Sequence, residues 1–453
     1  MARIMRTAGA LVASAAITVT TLAGTPAAQA SAPVPAKTDD SAAALASTWI
    51  KGQLTSGLAV GKFGPDFGLS IDIALGLDQT GNDSAVRTIS GAVASKIESY
   101  ISGGTSDPDS TYAGATAKAA TLARIAGGNP TSYGGVNLVT RLESRVATAA
   151  PITGRIEDKS TFGDFANVVG QSFAARALVE AKSARAADAV KFLLQQQCAG
   201  GYFRLDFTKD KANASQGCVD GAADSAADLD ATSLVVVNLA ASGDTTPEVA
   251  AALAKAGAWL AARQASSGAF GVVGATGKPN TNSTGLAGWA LGSLNNKQAA
   301  ADAAVWVRKR QPVDKNRCFS ALSKSLGAVA YDDIAVRSAR TAGVTAETTD
   351  QWRRATAQAL PVLQWAPASP DKLRVVGNTA RAEARTKVRF SNFGLAPGER
   401  ACVSVQGDFK RVVGKATGGK IAAKLEMPNG NAKRKVKLKT ADAVAKAFVL
   451  VRN

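Results

Sequence analysis

The chain has 453 residues, 46% hydrophobic and 19% charged, a globular composition with room for two domains and a large core. It contains no histidine, which excludes Ser-His and Cys-His nucleophile pairs and removes the usual general base and the most common zinc ligand. Its 53 Lys and Arg outnumber its 35 Asp and Glu, for a net charge of +18. With no Gly-x-Ser-x-Gly elbow and no phosphate loop, a hydrolase would have to work from carboxylates, Lys or Tyr alone.

At the amino terminus, Arg3 and Arg6 precede an uncharged run from Thr7 to Ala30 that closes with Ala28-Gln29-Ala30 before Ser31. A basic start, an apolar stretch and a small-residue ending form a secretory signal. Residues 1–30 are therefore expected to be removed, and the mature chain to be extracellular or wall-associated. An uncleaved anchor is the competing reading, but Thr, Gly and Pro interrupt a run barely long enough to span. No later stretch is apolar for ~20 residues, so no stable membrane span is expected. Residues 31–40, with prolines and charges, read as a linker.

From 41 to 365 a weak pattern returns about six times: an apolar anchor, often a glutamine, a Gly-aromatic turn, then a polar residue opening a second apolar helix. Its clearest copies are Phe192-Leu193 with Gln197 and Tyr202-Phe203, Trp259-Leu260 with Gln264 and Gly268-Ala269-Phe270, and Trp306-Val307 with Gln311. Fainter copies start at Trp49-Ile50, Ile97 and Leu142, so the anchors step by 45 to 67 residues, a period of helical-pair arrays. Alanine fills between the apolar positions, which favours helix and close helix approach. A Gly-x-Phe-Gly turn occurs at Gly61 to Gly64 and again at Gly268 to Gly271. Asp72, Ser110-Thr111, Asn167, Asp230, Asn282-Ser283 and Asp332-Asp333 then open the next helices, and each is readable as an N-cap. If the six pairs close into a ring, these starts converge on one rim. Asp72, Asn167, Asp228, Asp230, Asn282 and Asp332, with Trp289 on the wall, would then line a ligand pocket.

The four cysteines suit an oxidising compartment. Cys198 and Cys218 enclose the Gly200 to Phe203 turn and are expected to be bonded, which contributes about 3 kcal/mol on the chain-entropy model. Cys318 and Cys402 remain, and paired they would staple the helical part to the tail. Four cysteines allow three pairings, so the connectivity stays open. A thiolate metal site is disfavoured by the absence of Cys-x-x-Cys, and no metal or other cofactor is expected.

The alternation Trp-Leu-x(3)-Gln-x(3)-Gly-x-Phe from Trp259 to Phe270 resembles the repeat of the prenyltransferase and squalene cyclase superfamily, and the signal, repeat and tail layout resembles secreted actinobacterial proteins carrying it. The resemblance covers roughly 41–365 and implies an α/α toroid of about six helix pairs. It is poor for function, because that fold serves cyclases, prenyltransferases, thioester domains and cobalamin carriers. Class II terpene cyclases protonate an alkene with the middle acid of Asp-x-Asp-Asp-Thr. Here Asp228-Leu229-Asp230-Ala231-Thr232-Ser233 keeps the middle acid as Asp230 and has alanine where the last Asp belongs. Prenyltransferase zinc sites need a histidine and thioester domains a Cys-Gly-Glu-Gln, and both are missing. Cobalamin carriers share only the order of an α/α barrel and a β domain, which admits a small apolar or corrinoid-like ligand.

The tail, 370–453, alternates like short strands at 373–376, 387–390, 401–405, 422–425, 435–439 and 447–451, separated by turn signals. This predicts a small antiparallel sandwich, and the Gly394 to Glu399 turn resembles bacterial immunoglobulin-like domains. Asn429-Gly430 is expected at a hairpin tip. From Asp371 onward 19 Lys and Arg face 6 Asp and Glu, so most of the excess charge sits on the smallest part of the molecule. Lys433, Arg434, Lys435, Lys437 and Lys439 form the candidate surface for an anionic envelope polymer, with alternation placing the four lysines on one side of a strand. Lysines that protect a strand edge are the competing reading. Nucleic acid is not expected, for want of stacking aromatics and the right compartment.

The chain reads as a mainly α, secreted, non-catalytic binding protein. A terpene cyclase-like enzyme acting through Asp230, a cobalamin-type carrier and an inert spacer remain as alternatives.

Overall fold

The computed structural model describes residues 37–271, 277–312, 321–407 and 411–453; the expected signal at 1–30 lies outside them. The described chain is mixed, with a helical part followed by β-sheets.

Helices alternate between two layers. In chain order α1 (Asp40–Lys51) leads to α2 (Phe67–Asp78) through a small meander of β1 (Leu54–Thr55), β2 (Leu58–Gly61) and β3 (Gly64–Asp66). Then α3 (Asp83–Ala94) and α4 (Glu98–Ile101) lead to α5 (Ala113–Ile125), and α6 (Leu138–Glu143) to α7 (Val168–Glu180). The pairs continue as α8 (Ala186–Gln195) with α9 (Leu229–Ser242) and α10 (Pro247–Ala261) with α11 (Thr281–Ser293). Last come α12 (Lys297–Arg308), α13 (Asp333–Ala342) and α14 (Ala346–Ala359).

Six of these form a closed ring: α2 touches α5, α5 touches α7, α7 touches α9, α9 touches α11, α11 touches α14, and α14 returns to α2. Burial follows the layer. α11 buries Thr281 and every residue from Ser283 to Leu291, whereas α8 buries one stripe of Ala189, Val190, Phe192 and Leu193. Small residues let the inner helices meet closely. A Cβ on Gly285 would lie 2.5 Å from the Gln358 carbonyl of α14, and one on Gly170 3.1 Å from the Gly114 Cα.

The repeated glutamine locks three of the pairs to the next. Gln197 Nε2 donates to the carbonyls of Gly201 and of Ala252 on α10, and Gln264 Nε2 to those of Gly268 and of Ala299 on α12. Gln311 Nε2 donates to Gly327 and to Ala42 on α1, 269 residues away, and so helps to close the ring. The first three pairs lack this glutamine, and in the third Gln171 of α7 replaces it from inside, donating to the carbonyls of Gly154 and Ala189. Its Oε1 also accepts from Ile156 N, as Thr232, Thr284 and Thr356 accept from Phe203, Phe270 and Val329.

These bonds correct one expectation. Phe270 follows the turn glycine and is buried, but Phe63 in the matching Gly61 to Gly64 is 98% exposed at the β2–β3 tip. The true counterpart of Gly268 is Gly57, because Ala59 N donates to Ser70 Oγ as Phe270 N donates to Thr284. The inserted meander displaced the sequence match by four residues.

Cys198 and Cys218 are disulfide-bonded, with Cα atoms 4.9 Å apart. Cys402 is also in a disulfide, and Cys318 lies outside the described residues.

The tail contains β4 (Arg374–Gly377), β5 (Arg381–Glu383), β6 (Lys387–Phe393), β7 (Arg400–Val405), β8 (Arg411–Lys415), β9 (Ile421–Glu426), β10 (Ala432–Lys439) and β11 (Val444–Arg452). Five strands run in the order β5-β11-β10-β7-β8 and three in the order β4-β6-β9, around a core that includes Val388, Phe390, Val403, Leu425, Val436 and Val449. β5 and β8 were not legible in the sequence, and β5 pairs in parallel with β11. Asn429-Gly430 is not a hairpin tip. It joins β9 of one sheet to β10 of the other, and the tight hairpin lies at 440–443 between β10 and β11. The tail rests on the ring's outer side, where Arg400 donates to the Lys309 carbonyl and Lys415 pairs with Asp333 at 2.7 Å.

Candidate functional site

All six inner helices contribute to one cavity of about 360 Å3. Most of its lining comes from their first two or three turns: Asp72 of α2, Lys118 of α5, Asn167 and Phe173 at the start of α7, Leu234 of α9, and Leu286 and Trp289 of α11. The cavity is therefore set toward the N-terminal rim, with Gln358 from the end of α14 and Tyr100 of α4 completing it.

Lys118 is its electrostatic centre. α5 is otherwise built of Ala, Gly, Thr and a few larger apolar residues, with Arg124 only in its last turn, so a lysine in its middle has either to reach solvent or to meet a partner. Its Nζ lies 2.5 Å from Asp72 Oδ1 and donates to the Gly68 carbonyl at 3.1 Å. Burial pulls the ammonium's pKa down, but the facing Asp72 carboxylate and the Tyr100 and Asp66 oxygens outweigh it, and the net shift is upward. Burial likewise pushes the Tyr100 phenol up to about 12, so it stays an O–H donor. Phe173 lies 5.8 Å from Lys118 Nζ, within cation–π range.

Of the residues expected to bind ligand, the fold brings Asp72, Asn167 and Trp289 to this cavity. Asp72 does so without capping a helix: α2 starts five residues earlier, and its cap is Asp66, which accepts from Leu69 N. Asn167 does cap α7 through Gly170 N. Asp228, Asp230, Asn282 and Asp332 are not in the lining. Asp228 caps α9 through Ala231 N, and Asp332 caps α13, which is outside the inner ring. The cap of α11 is Asn280, bonded to Ser283 N, so Asn282 sits in the first turn instead. Asp230 is in the first turn of α9, where burial, reinforced by Asp228 and opposed by Ser283, pushes its carboxyl up to about 6. Asp230 Oδ1 and Asn282 Oδ1 are buried without a partner among the described residues.

Sequence reasoning missed Lys118, Tyr100, Phe173 and Gln358. A lone cation inside an alanine-rich helix was the available signal for Lys118; the others carried none.

On the tail, Lys433, Lys435, Lys437 and Lys439 share the outer face of β10, while Val436 and Leu438 point into the core. Arg434 lies on the core-side parity and donates to the Asn429 carbonyl. β10 is paired with β11 along its length and with β7 from Val436 to Lys439, so Lys437 and Lys439 do not guard an edge. Lys437 is paired across the strands with Lys446, and Lys433 Nζ lies 4.7 Å from the ring of Phe448, itself 50% exposed.

Among the described residues, no group of three or more His, Cys, Asp or Glu could hold a metal ion, and no helix is long and apolar enough to cross a membrane. No protein-family model and no curated protein matches the chain. Among solved structures, a protein from Actinoplanes is 17% identical, over 72% of this chain and 99% of its own, with a TM-score of 0.47. Type II terpene cyclase MstE from Scytonema, in complex with geranylgeranyl dihydroxybenzoate, is 14% identical over 72% of this chain and 96% of its own, with a TM-score of 0.47. A glycosidase is 12% identical over 72% and 97%, with a TM-score of 0.43. The closed ring stands on its own helix contacts.

Proposed function

We propose that the chain is an exported, non-catalytic binding protein whose ring encloses a small ligand. The observation that carries this is the cavity itself. An inert spacer would fill the ring centre with alanine and leucine, whereas here about 360 Å3 stays open beside a half-buried ion pair and an indole wall. Export is supported by the amino-terminal pattern and by the Cys198–Cys218 disulfide.

The cyclase alternative is less well supported. Its acid, Asp230, lies outside the cavity lining, and a carboxyl pushed up to about 6 is a weaker acid than usual, the opposite of what alkene protonation requires. A corrinoid held between the two parts is not favoured either, since residues of the tail contribute nothing to the cavity. Native mass spectrometry of the protein purified from its own culture medium tests the reading. A non-covalent small-molecule mass that disappears on denaturation is expected, and a bare chain would count against it.

The tail, read as an immunoglobulin-like sandwich, is proposed to hold the protein to anionic envelope polymers. Four lysines on a central strand, with Lys446 opposite, bring like charges together at some cost to stability, which a binding role explains and edge protection does not. Retention on isolated cell walls should fall steeply as salt rises and should drop further in Lys435→Glu/Lys437→Glu. Salt-independent retention would rule the electrostatic mechanism out.

A further inference from the structure

The cavity's two sides differ in kind. Phe173, Leu234, Leu286 and Trp289 give it an apolar wall, and Lys118, Asp72, Tyr100 and Gln358 a polar one. On the polar side the charges already cancel. Lys118 spends two of its three N–H groups on Asp72 Oδ1 and the Gly68 carbonyl. One N–H and Asp72 Oδ2 remain without a partner among the described residues, so the pair still offers one donor and one acceptor.

From this arrangement we infer that the cavity takes an uncharged amphiphile, with a vicinal hydroxyl or amide head against the Lys118–Asp72 pair and an alkyl or ring body along Trp289. The inference rests on the cavity reading above. An anionic head brought to Lys118 also meets Asp72, whose Oδ1 is 2.5 Å away, and a cationic head brought to Asp72 meets Lys118. Attraction and repulsion nearly cancel, while the cost of taking a net charge out of water does not. A pair of hydroxyls escapes that cost: one donates to Asp72 Oδ2, the other accepts from Lys118, and the Tyr100 hydroxyl and Gln358 amide stand nearby for a third bond. The indole and phenyl walls bury the body, where apolar area supplies most of the affinity.

Three molecules with the same ten-carbon chain separate the possibilities: decane-1,2-diol, decanoate and decylammonium, titrated calorimetrically below their aggregation concentrations. The diol should bind at least tenfold more tightly than either ion. In Lys118→Met, which leaves Asp72 unneutralised, preference should switch to decylammonium. Asp72→Asn supplies the mirror test with decanoate if the first variant does not fold. Either ion binding the unaltered protein as tightly as the diol overturns the ligand class and leaves the cavity reading standing. Binding of none of the three overturns both.

Discussion

Asp230 shows what burial does to one carboxyl. It sits in the first turn of α9, where a helix N-terminus favours negative charge, yet loss of solvent and the neighbouring Asp228 win and hold its pKa at about 6 against an ordinary 3.8. The folded state therefore keeps a proton that the unfolded chain releases. Its contribution to stability is full below about pH 4 and is lost as pH rises through about 6, by roughly 2–3 kcal/mol. Asp230→Asn removes this dependence. Urea unfolding at pH 4 and pH 7.5 should show the stability difference, variant minus parent, growing with pH, and a difference that does not change would refute the assignment. Lys118 shows the contrasting outcome, in which the facing Asp72 carboxylate outweighs burial and the ammonium's pKa moves upward.

At the level of elements, the ring is assembled by one device used repeatedly: a side-chain amide that reaches from a turn carbonyl to the next outer helix. Gln171 combines that task with accepting a turn N–H, and all three of its bonds are buried. Gln171→Leu keeps the volume but strands those groups, so a loss of about 2–4 kcal/mol is expected in denaturant unfolding. The turn glycines contribute by geometry. At Gly268, φ is +87° and a Cβ would come within 2.2 Å of the Asp302 carbonyl on α12, whereas at Gly64, φ is +109° with nothing within 4 Å. Gly268→Ala should cost more than about 3 kcal/mol and Gly64→Ala only about 1–2, the backbone term alone. Equal losses would show that the close approach to α12 does not matter.

Across the whole molecule, Arg308 joins the start of α1 to the tail. Only 5% of its side chain is exposed; it pairs with Asp39, the cap of α1, at 2.5 Å and faces Glu399 of the tail at 3.7 Å. The two acids respond differently. Burial raises both, but Arg308 and Ser41 bring Asp39 below its usual value, while Glu399 stays raised. Arg308→Met leaves both acids buried without their cation, so a loss of about 3–5 kcal/mol is expected, together with earlier proteolytic release of the tail. The more exposed Lys415–Asp333 pair contributes no more than about 1 kcal/mol.

Local and periodic features were legible in the sequence for a physical reason: Trp259, Gln264 and Gly268 belong to one turn of chain and recur because each pair repeats the same contacts. The six tail segments and the lysine face of β10 were legible likewise, since alternation is a property of the strand itself. What the tertiary structure decided is which inner-helix residues meet at the centre. Asp72 looks like a cap and is a cavity wall, Asp230 looks like a cavity acid and is outside it, and Lys118 carries no motif at all. Those outcomes depend on the rotation of each helix about its axis and on where the ring closes, between α14 and α2, and neither is set by residues near in sequence.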